Sequence, residues 1–254
     1  MQLYFKESGQ GRAVILLHGL LGASDNWHPV ALRLAESFRV FAPDQRNHGQ
    51  SPHSAEMDYP LMAADVAEFF ERQKIASAVV IGHSMGGKTA MQFALQFPEY
   101  VEKLIVEDMA PRAYLPSHDK IFTALLALDL AHYASRQEIE AALAPEIPNL
   151  TLRRFLLKNL GRTDRGGFFW KINLRGLAEN YSQLGKPVGA EQPFVKPALF
   201  IRGGQSKYLV AGDELLIHEL FPMAKIETIA QANHWVHADA LEDFLKLVSD
   251  FLQA

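Results

Sequence analysis

"VVIGHSMGGKTA", Val79 to Ala90, is an apolar run that ends in glycine, then a serine between small residues, then the start of a helix pattern. Gly82-His83-Ser84-Met85-Gly86 fits G-x-S-x-G, in which a serine occupies a sharp turn from strand to helix. Side chains at the flanking positions of such a turn collide with neighbouring backbone, so glycine stands there. The serine hydroxyl then projects at the carboxyl edge of a sheet. Backbone N–H groups at the helix start can face a developing oxyanion. The bare pattern is short enough to arise by chance, as a glycine-rich turn with an incidental serine. The β-branched run before it and the helix pattern after it give it weight.

The same alternation extends in both directions. Ala13–Gly19, Phe38–Asp44, Ser77–Ser84, Glu102–Asp108, Pro197–Gly203 and Ala224–Ala230 are short apolar runs without strict alternation, as in parallel strands covered on both faces. Helix patterns lie between them, at Asp25–Ser37, Tyr59–Gln73, Met85–Phe97 and Ala240–Leu252. Strand–helix alternation predicts an α/β fold with a mostly parallel, doubly wound sheet. From Arg112 to Val195 there are only helical stretches with Pro and Gly punctuation, which reads as an inserted helical cap. Residues 1–111 and 196–254 then form the core, and 112–195 the cap. Residues 112–195 hold 11 Lys and Arg against 8 Asp and Glu, the remainder 14 against 21. Within the cap, Thr151–Arg175 has seven basic residues and one acid, Asp164. This is a solvated helix face or a basic rim for anionic substrates.

Composition narrows the class. The chain has 254 residues, 48% apolar and 21% charged, with a net charge of −4 and no cysteine. That excludes disulfides and thiolate metal sites and gives no sign of a nucleic-acid or membrane partner. No run approaches the roughly 18 apolar residues of a membrane span, and the start has no signal-peptide run. The expectation is a soluble, cytoplasmic protein.

A serine nucleophile needs further parts. An oxyanion hole takes the N–H after the serine, from Met85, and a second from the loop after the first parallel strand, "HGLLG" (His18–Gly22), where Leu20 is the candidate. His18 reads as a brace for that loop. The base is expected in the loop after the last strand, which selects His234 in "QANHWVHAD" over His48 at the pocket's edge. His237 is read as packing at the helix start, and His83 as facing away from the serine. The orienting acid usually follows the serine and precedes the histidine. The loop "GGQSKY" after Pro197–Gly203 offers Ser206 where an aspartate is expected. The choice falls on Asp108, ending "LIVED", at a carboxyl edge that can approach the histidine, with Asp213 as the alternative. Strand alternation points Glu107 to the opposite face from Asp108. In the cap, Phe155, Phe168, Phe169 and Trp170 are either core or the lining of an acyl pocket. Arg153, Arg154, Lys158, Arg162 and Arg165 are candidates to hold the phosphates of coenzyme A.

"HGLLG", "DQRNHGQS", "GHSMGG" and "NHWVH", in that order, resemble the α/β-hydrolase superfamily, and most of all small bacterial acyl esterases of the YbfF type. "GHSMGGK", the aspartate ending "LIVED", "GGQSKY" and "HWVHA" carry this likeness, which spans nearly the whole chain and is weakest in the cap. It implies an eight-stranded type of sheet with a helical cap, no cofactor, and hydrolysis of short acyl esters or acyl-CoA thioesters. It also implies the triad Ser84, Asp108 and His234, with Ser206 supporting it. Only "QLYFKES" precedes "AVILLHG", so the first antiparallel strand of that pattern is short or missing.

Two rivals stand beside this reading. A lyase or carbon–carbon bond hydrolase would use the same serine and histidine. A non-catalytic ligand-binding protein need not keep a complete set of catalytic groups. Dehalogenases and epoxide hydrolases of similar fold need aspartate where Ser84 stands. The two histidines of "HWVH" are too few for a metal site.

Overall fold

The computed structural model describes residues 1–253. Seven strands form the main sheet: β1 (Phe5–Ser8), β2 (Ala13–Leu17), β3 (Arg39–Pro43), β4 (Ala78–His83), β5 (Val101–Glu107), and, after an intervening hairpin, β8 (Ala198–Gly203) and β9 (Ala224–Ile229). Their order is β1-β3-β2-β4-β5-β8-β9. Only β1 is antiparallel, pairing with β3 at the edge. The sheet thus has seven strands instead of the eight implied by the resemblance, and its antiparallel strand is present but four residues long.

The lack of strict alternation in the strands has a direct cause. Each inner strand is buried on both faces, by two separate sets of side chains. Ile15, Leu17, Val80, Leu104, Val106 and Phe200 join one core, and Val14, Leu16, Val79, Ile81, Ile105, Leu199 and Ile201 the other. Period-two packing survives inside a sequence that is apolar at every step.

Helix α1 (His28–Leu34) and the last helix, α11 (Leu241–Gln253), cover the second core. Helices α2 (Tyr59–Gln73) and α3 (Met85–Gln96) cover the first. The helix pattern from Asp25 resolves into a 3-10 turn at Ser24–Trp27 and then α1, because Pro29, which lacks an N–H, sits in the first turn of α1. Helix α2 begins where the Asp58 carboxylate accepts the Leu61 N–H at 2.8 Å, and ends at Lys74 in a left-handed conformation.

After β5 the chain leaves the sheet and returns at β8. Between them lie α4 (Asp119–Leu126), α5 (Arg136–Leu143), α6 (Leu150–Leu157), α7 (Leu174–Glu179) and α8 (Tyr181–Leu184). The segment is not purely helical. Strands β6 (Leu160–Arg162) and β7 (Phe168–Trp170) pair as an antiparallel hairpin. At three residues each they are too short to leave a periodic signal. After β8, α9 (Glu214–Leu220) and the short α10 (Val236–Asp239) flank β9. No helix among the described residues is long and apolar enough to cross a membrane.

Candidate active site

Strand β4 ends at His83 and α3 begins at Met85, so Ser84 alone makes the turn. Its backbone sits at φ 53° and ψ −117°, a conformation that residues with a side chain seldom adopt. The glycines that flank it are sterically required. A β-carbon on Gly82 would fall on the Gly86 carbonyl, and one on Gly86 on the Leu17 carbonyl of β2. Gly19 lets a third segment close in: its β-carbon would lie 2.9 Å from the His83 ring and 3.4 Å from the Ser84 β-carbon.

The register of the sheet brings the other groups to the same edge. His83 is paired with Glu107, so Asp108 follows at the carboxyl end of β5 beside the turn. Asp108 also has a positive φ, 47°, and is fully buried. Its Oδ1 accepts the Gly203 N–H from the end of β8 at 3.0 Å. Its Oδ2 accepts the Ser206 hydroxyl and lies 2.8 Å from His234 Nδ1. The other ring nitrogen, His234 Nε2, is 3.0 Å from Ser84 Oγ. One continuous chain of hydrogen bonds therefore runs Ser206–Asp108–His234–Ser84.

The other acid considered, Asp213, is elsewhere. Its carboxylate takes the Arg112 guanidinium at 2.8 Å and the Val210 N–H at 3.0 Å. It lies at the start of α9, in a 3-10 turn, and makes no hydrogen bond to His234.

Around the chain are groups that hold it in place. Tyr208 stacks on the His234 ring, with centroids 3.9 Å apart. The Tyr208 N–H donates to Ser206 Oγ at 3.1 Å. His83 Nε2–H donates to the His234 carbonyl at 2.9 Å. Burial pushes the His83 ring down to about 3, so it serves as a neutral donor. His237 binds the buried Glu107 carboxylate at 2.8 Å on the far side of β5 from Asp108. Burial opposes ionisation of Glu107, but His237 and His83 beside it hold the carboxyl below its usual range.

The loop after β2 is braced as its histidine suggests. His18 Nδ1–H donates to the Gly19 carbonyl at 2.9 Å, and Nε2 accepts the Gln45 N–H at 3.0 Å. His48 does not line the cavity. It is fully buried, pushed down to about 3 by burial, and its Nε2 accepts the Leu21 N–H at 3.1 Å. Leu21 sits at φ 59°, the corner that turns the loop beside Ser84. Among the described residues, the N–H groups of Leu20 and Met85 donate to no other group of the protein.

Ser84 and His234 open onto a cavity of about 370 Å³. Leu20, Met85, Tyr59, Tyr114, Ile121, Leu152, Phe155, Tyr181 and Trp235 are among the residues that line it. Of the candidate cap residues, Phe155 reaches this cavity, its ring 5.6 Å from Trp235. Trp170 does not: it faces a separate hollow with His53, Leu125 and Ile172. Phe168 is buried within the segment and Phe169 is turned outward. Arg153 is also displaced from its expected place. Its guanidinium is held by the Ile147 and Pro148 carbonyls at 2.7 and 2.9 Å, because it closes the turn before α6. A second cavity of about 260 Å³ adjoins the first, sharing Leu21, Gly22, Asn26 and Phe155. Arg136, Lys158 and Lys171 line it.

Two cavity residues escape a sequence reading, Tyr208 and Lys88. Tyr208 gives no signal beyond its place two residues after Ser206. Lys88 does give one: it is the single charged residue in α3, whose other positions are apolar, small or uncharged.

With this geometry in view, residues 12–241 match the alpha/beta hydrolase fold family. The chain belongs to that family. It is 37% identical over 255 residues to the sn-1-specific diacylglycerol lipase ABHD11 of Xenopus tropicalis, covering 97% of this chain and 80% of that protein. It is 35% identical over 244 residues to Esterase YbfF of Escherichia coli, covering 94% and 92%. The solved structure of a marine microorganism esterase superposes with a TM-score of 0.96 at 43% identity, over 98% of this chain and 99% of that one. The α/β-hydrolase fold and the likeness to YbfF-type esterases, both read from the motifs, hold. The chain is an enzyme of this family, and these relatives carry the names lipase and esterase.

Proposed function

We propose that the protein is a serine hydrolase that cleaves acyl esters through an acyl-enzyme on Ser84. The observation that carries this reading is the hydrogen-bonded chain Asp108–His234–Ser84 opening on a cavity of substrate size. His234 Nε2 takes the Ser84 proton as Oγ attacks the acyl carbonyl carbon. Asp108 accepts the Nδ1–H, fixing the tautomer that leaves Nε2 free as base, and stabilises the imidazolium that forms. The Leu20 and Met85 N–H groups receive the negative oxygen of the tetrahedral intermediate. His234 then protonates the leaving group, and a water, deprotonated in turn by His234, releases the acid. Ser206 and the Gly203 N–H hold the Asp108 carboxylate aimed at His234. Residues 1–111 and 196–254 supply every one of these groups, and 112–195 act as a cap that roofs the cavity.

The test is an acyl adduct. An activated short-chain ester mixed with the protein should give a burst of leaving group and a transient mass increase on Ser84. Folded protein with neither adduct nor turnover would overturn the proposal in favour of a binding protein or a lyase.

For the leaving group, the basic cavity beside the first favours coenzyme A thioesters as additional substrates. Arg136, Lys158 and Lys171 line it with one carboxylate, Asp25, which Lys6 already pairs, so the cavity carries a net positive charge. Of the basic residues expected to hold these phosphates, Lys158 lines this cavity, joined by Arg136 and Lys171, and Arg153 does not. Screening gives the check. Raising salt from about 0.05 to 0.5 M shortens the range of charge attraction several-fold. The KM for acetyl-CoA should rise several-fold, while that for a neutral ester stays nearly constant. Equal responses would remove the thioester reading and leave the esterase.

A further inference from the structure

Lys88 lies one helical turn beyond Ser84, its N–H donating to the Ser84 carbonyl at 3.0 Å. Its side chain is 1% exposed and lines the same cavity as Ser84 and His234. The ammonium donates to the Lys186 carbonyl, which ties α3 to the segment above it. It faces the rings of Tyr114 and Tyr59, at 4.9 and 5.2 Å from their centroids. Both tyrosine hydroxyls are committed elsewhere, to the Tyr208 and Leu184 carbonyls.

No carboxylate balances this cation. The charged neighbour that acts on it is Arg112, a second cation, itself held by Asp213. A buried charge without a counter-charge is expensive, and three N–H donors exceed what one carbonyl can take. Burial first, and Arg112 second, press the amine down to about 7, the mark of a cation short of a partner. A neutral amide would hold the Lys186 carbonyl at less desolvation cost, so the tie alone does not account for a lysine. The cavity wall here has a positive group on one side, two aromatic faces around it, and no acid.

We propose that Lys88 receives a carboxylate carried at the far end of the acyl group, so that the cavity takes half-esters of short dicarboxylic acids. This rests on the serine-hydrolase reading. One turn of helix, about 5.4 Å of rise, separates the Ser84 and Lys88 backbones, and both side chains line the same cavity. A chain of a few carbons spans that gap, its methylenes against Tyr59 and Tyr114 and its carboxylate on Nζ. The cation thereby gains the charge it lacks, and the substrate is oriented from both ends.

The experiment compares monoethyl glutarate with ethyl pentanoate, of the same chain length, by titrating released acid. Unaltered protein should favour the half-ester by roughly 10- to 100-fold in kcat/KM, the range expected of one charge-assisted hydrogen bond. Lys88→Met should bring that ratio to about one. The loss should appear in KM of the half-ester rather than in kcat, because the carboxylate is bound equally before and during the reaction. Free glutarate should compete with ethyl pentanoate in unaltered protein, and pentanoate at the same concentration should not. Hydrolysis of both esters with no preference and no inhibition by glutarate would overturn the role of Lys88 while the hydrolase stands. A Lys88→Met protein that loses both activities in equal proportion would mark Lys88 as a structural tie and overturn it too. No hydrolysis of either ester would overturn the hydrolase reading and this inference with it.

Discussion

Ser84→Ala should lower kcat by about 10⁴- to 10⁶-fold and abolish the acyl adduct, with the fold intact. The size follows from the chemistry. Without Oγ, no covalent intermediate forms, and His234 has only water to activate, unpositioned by the chain of hydrogen bonds. What remains is the cavity and the two backbone donors, which give only a residual rate. The fold should survive because the serine side chain makes no cap hydrogen bond to α3. Alanine accepts the positive φ no worse than serine does. The measurement is turnover of an activated ester, together with thermal unfolding of both proteins. A variant that keeps a tenth of the rate would mean that Ser84 is not the nucleophile.

Asp108→Asn should cost about 10⁴-fold in kcat, and for a more specific reason. Asparagine has nearly the same shape and still accepts the Gly203 N–H through its carbonyl oxygen. The atom that faces His234 Nδ1 would then be an amide nitrogen, a donor in place of an acceptor. His234 would turn to the tautomer with its proton on Nε2, aimed at Ser84 Oγ, and could no longer act as base. Asp213→Asn is the control. It weakens the ion pair with Arg112, in which the Asp213 side chain is 7% exposed. Stability should therefore fall while kcat stays within a few-fold. A crippled Asp213→Asn protein beside an active Asp108→Asn protein would reverse the assignment of the acid.

The contrast between these two aspartates shows where a sequence stops being informative. Both follow the serine and precede the histidine, as chain order requires. What separates them is the pairing of β4, β5 and β8, which sets Asp108 beside Ser84 and Gly203, whereas Asp213 sits past the loop, facing Arg112. The elbow itself was legible because its requirement is local. A strand, a helix and two glycines within five residues can satisfy the steric demand of only a few turns, and the β-carbon positions at Gly82 and Gly86 show that demand directly. The inner parallel strands were legible for a related reason. A sheet covered on both faces needs apolar residues at every step, and such runs stand out.

The segment 112–195 was the least legible. Its hairpin strands are three residues long, and no periodicity develops over three residues. Its aromatic and basic residues announced chemistry, but composition does not tell direction. Trp170 turns to another hollow and Arg153 closes a local turn, whereas Phe155 enters the cavity. Each of these side chains stands in similar company along the chain. Their fates diverge because α6 and the β6–β7 hairpin lie against the core at particular angles, fixed by packing between distant residues.

By itself, then, the sequence determined what short-range sterics and hydrophobic patterning can enforce: the fold class, the serine on its turn, and the histidine after the last strand. The tertiary structure showed why Asp108 and not Asp213 meets that histidine, and it alone decided that Tyr208 stacks on it and that Lys88 is buried without a counter-charge beside the reacting centre. The physical reason is one of range. A turn or a buried strand is selected by neighbours in the chain, while an ion's partner is selected by whatever the fold brings within a few ångströms of it from anywhere in the sequence.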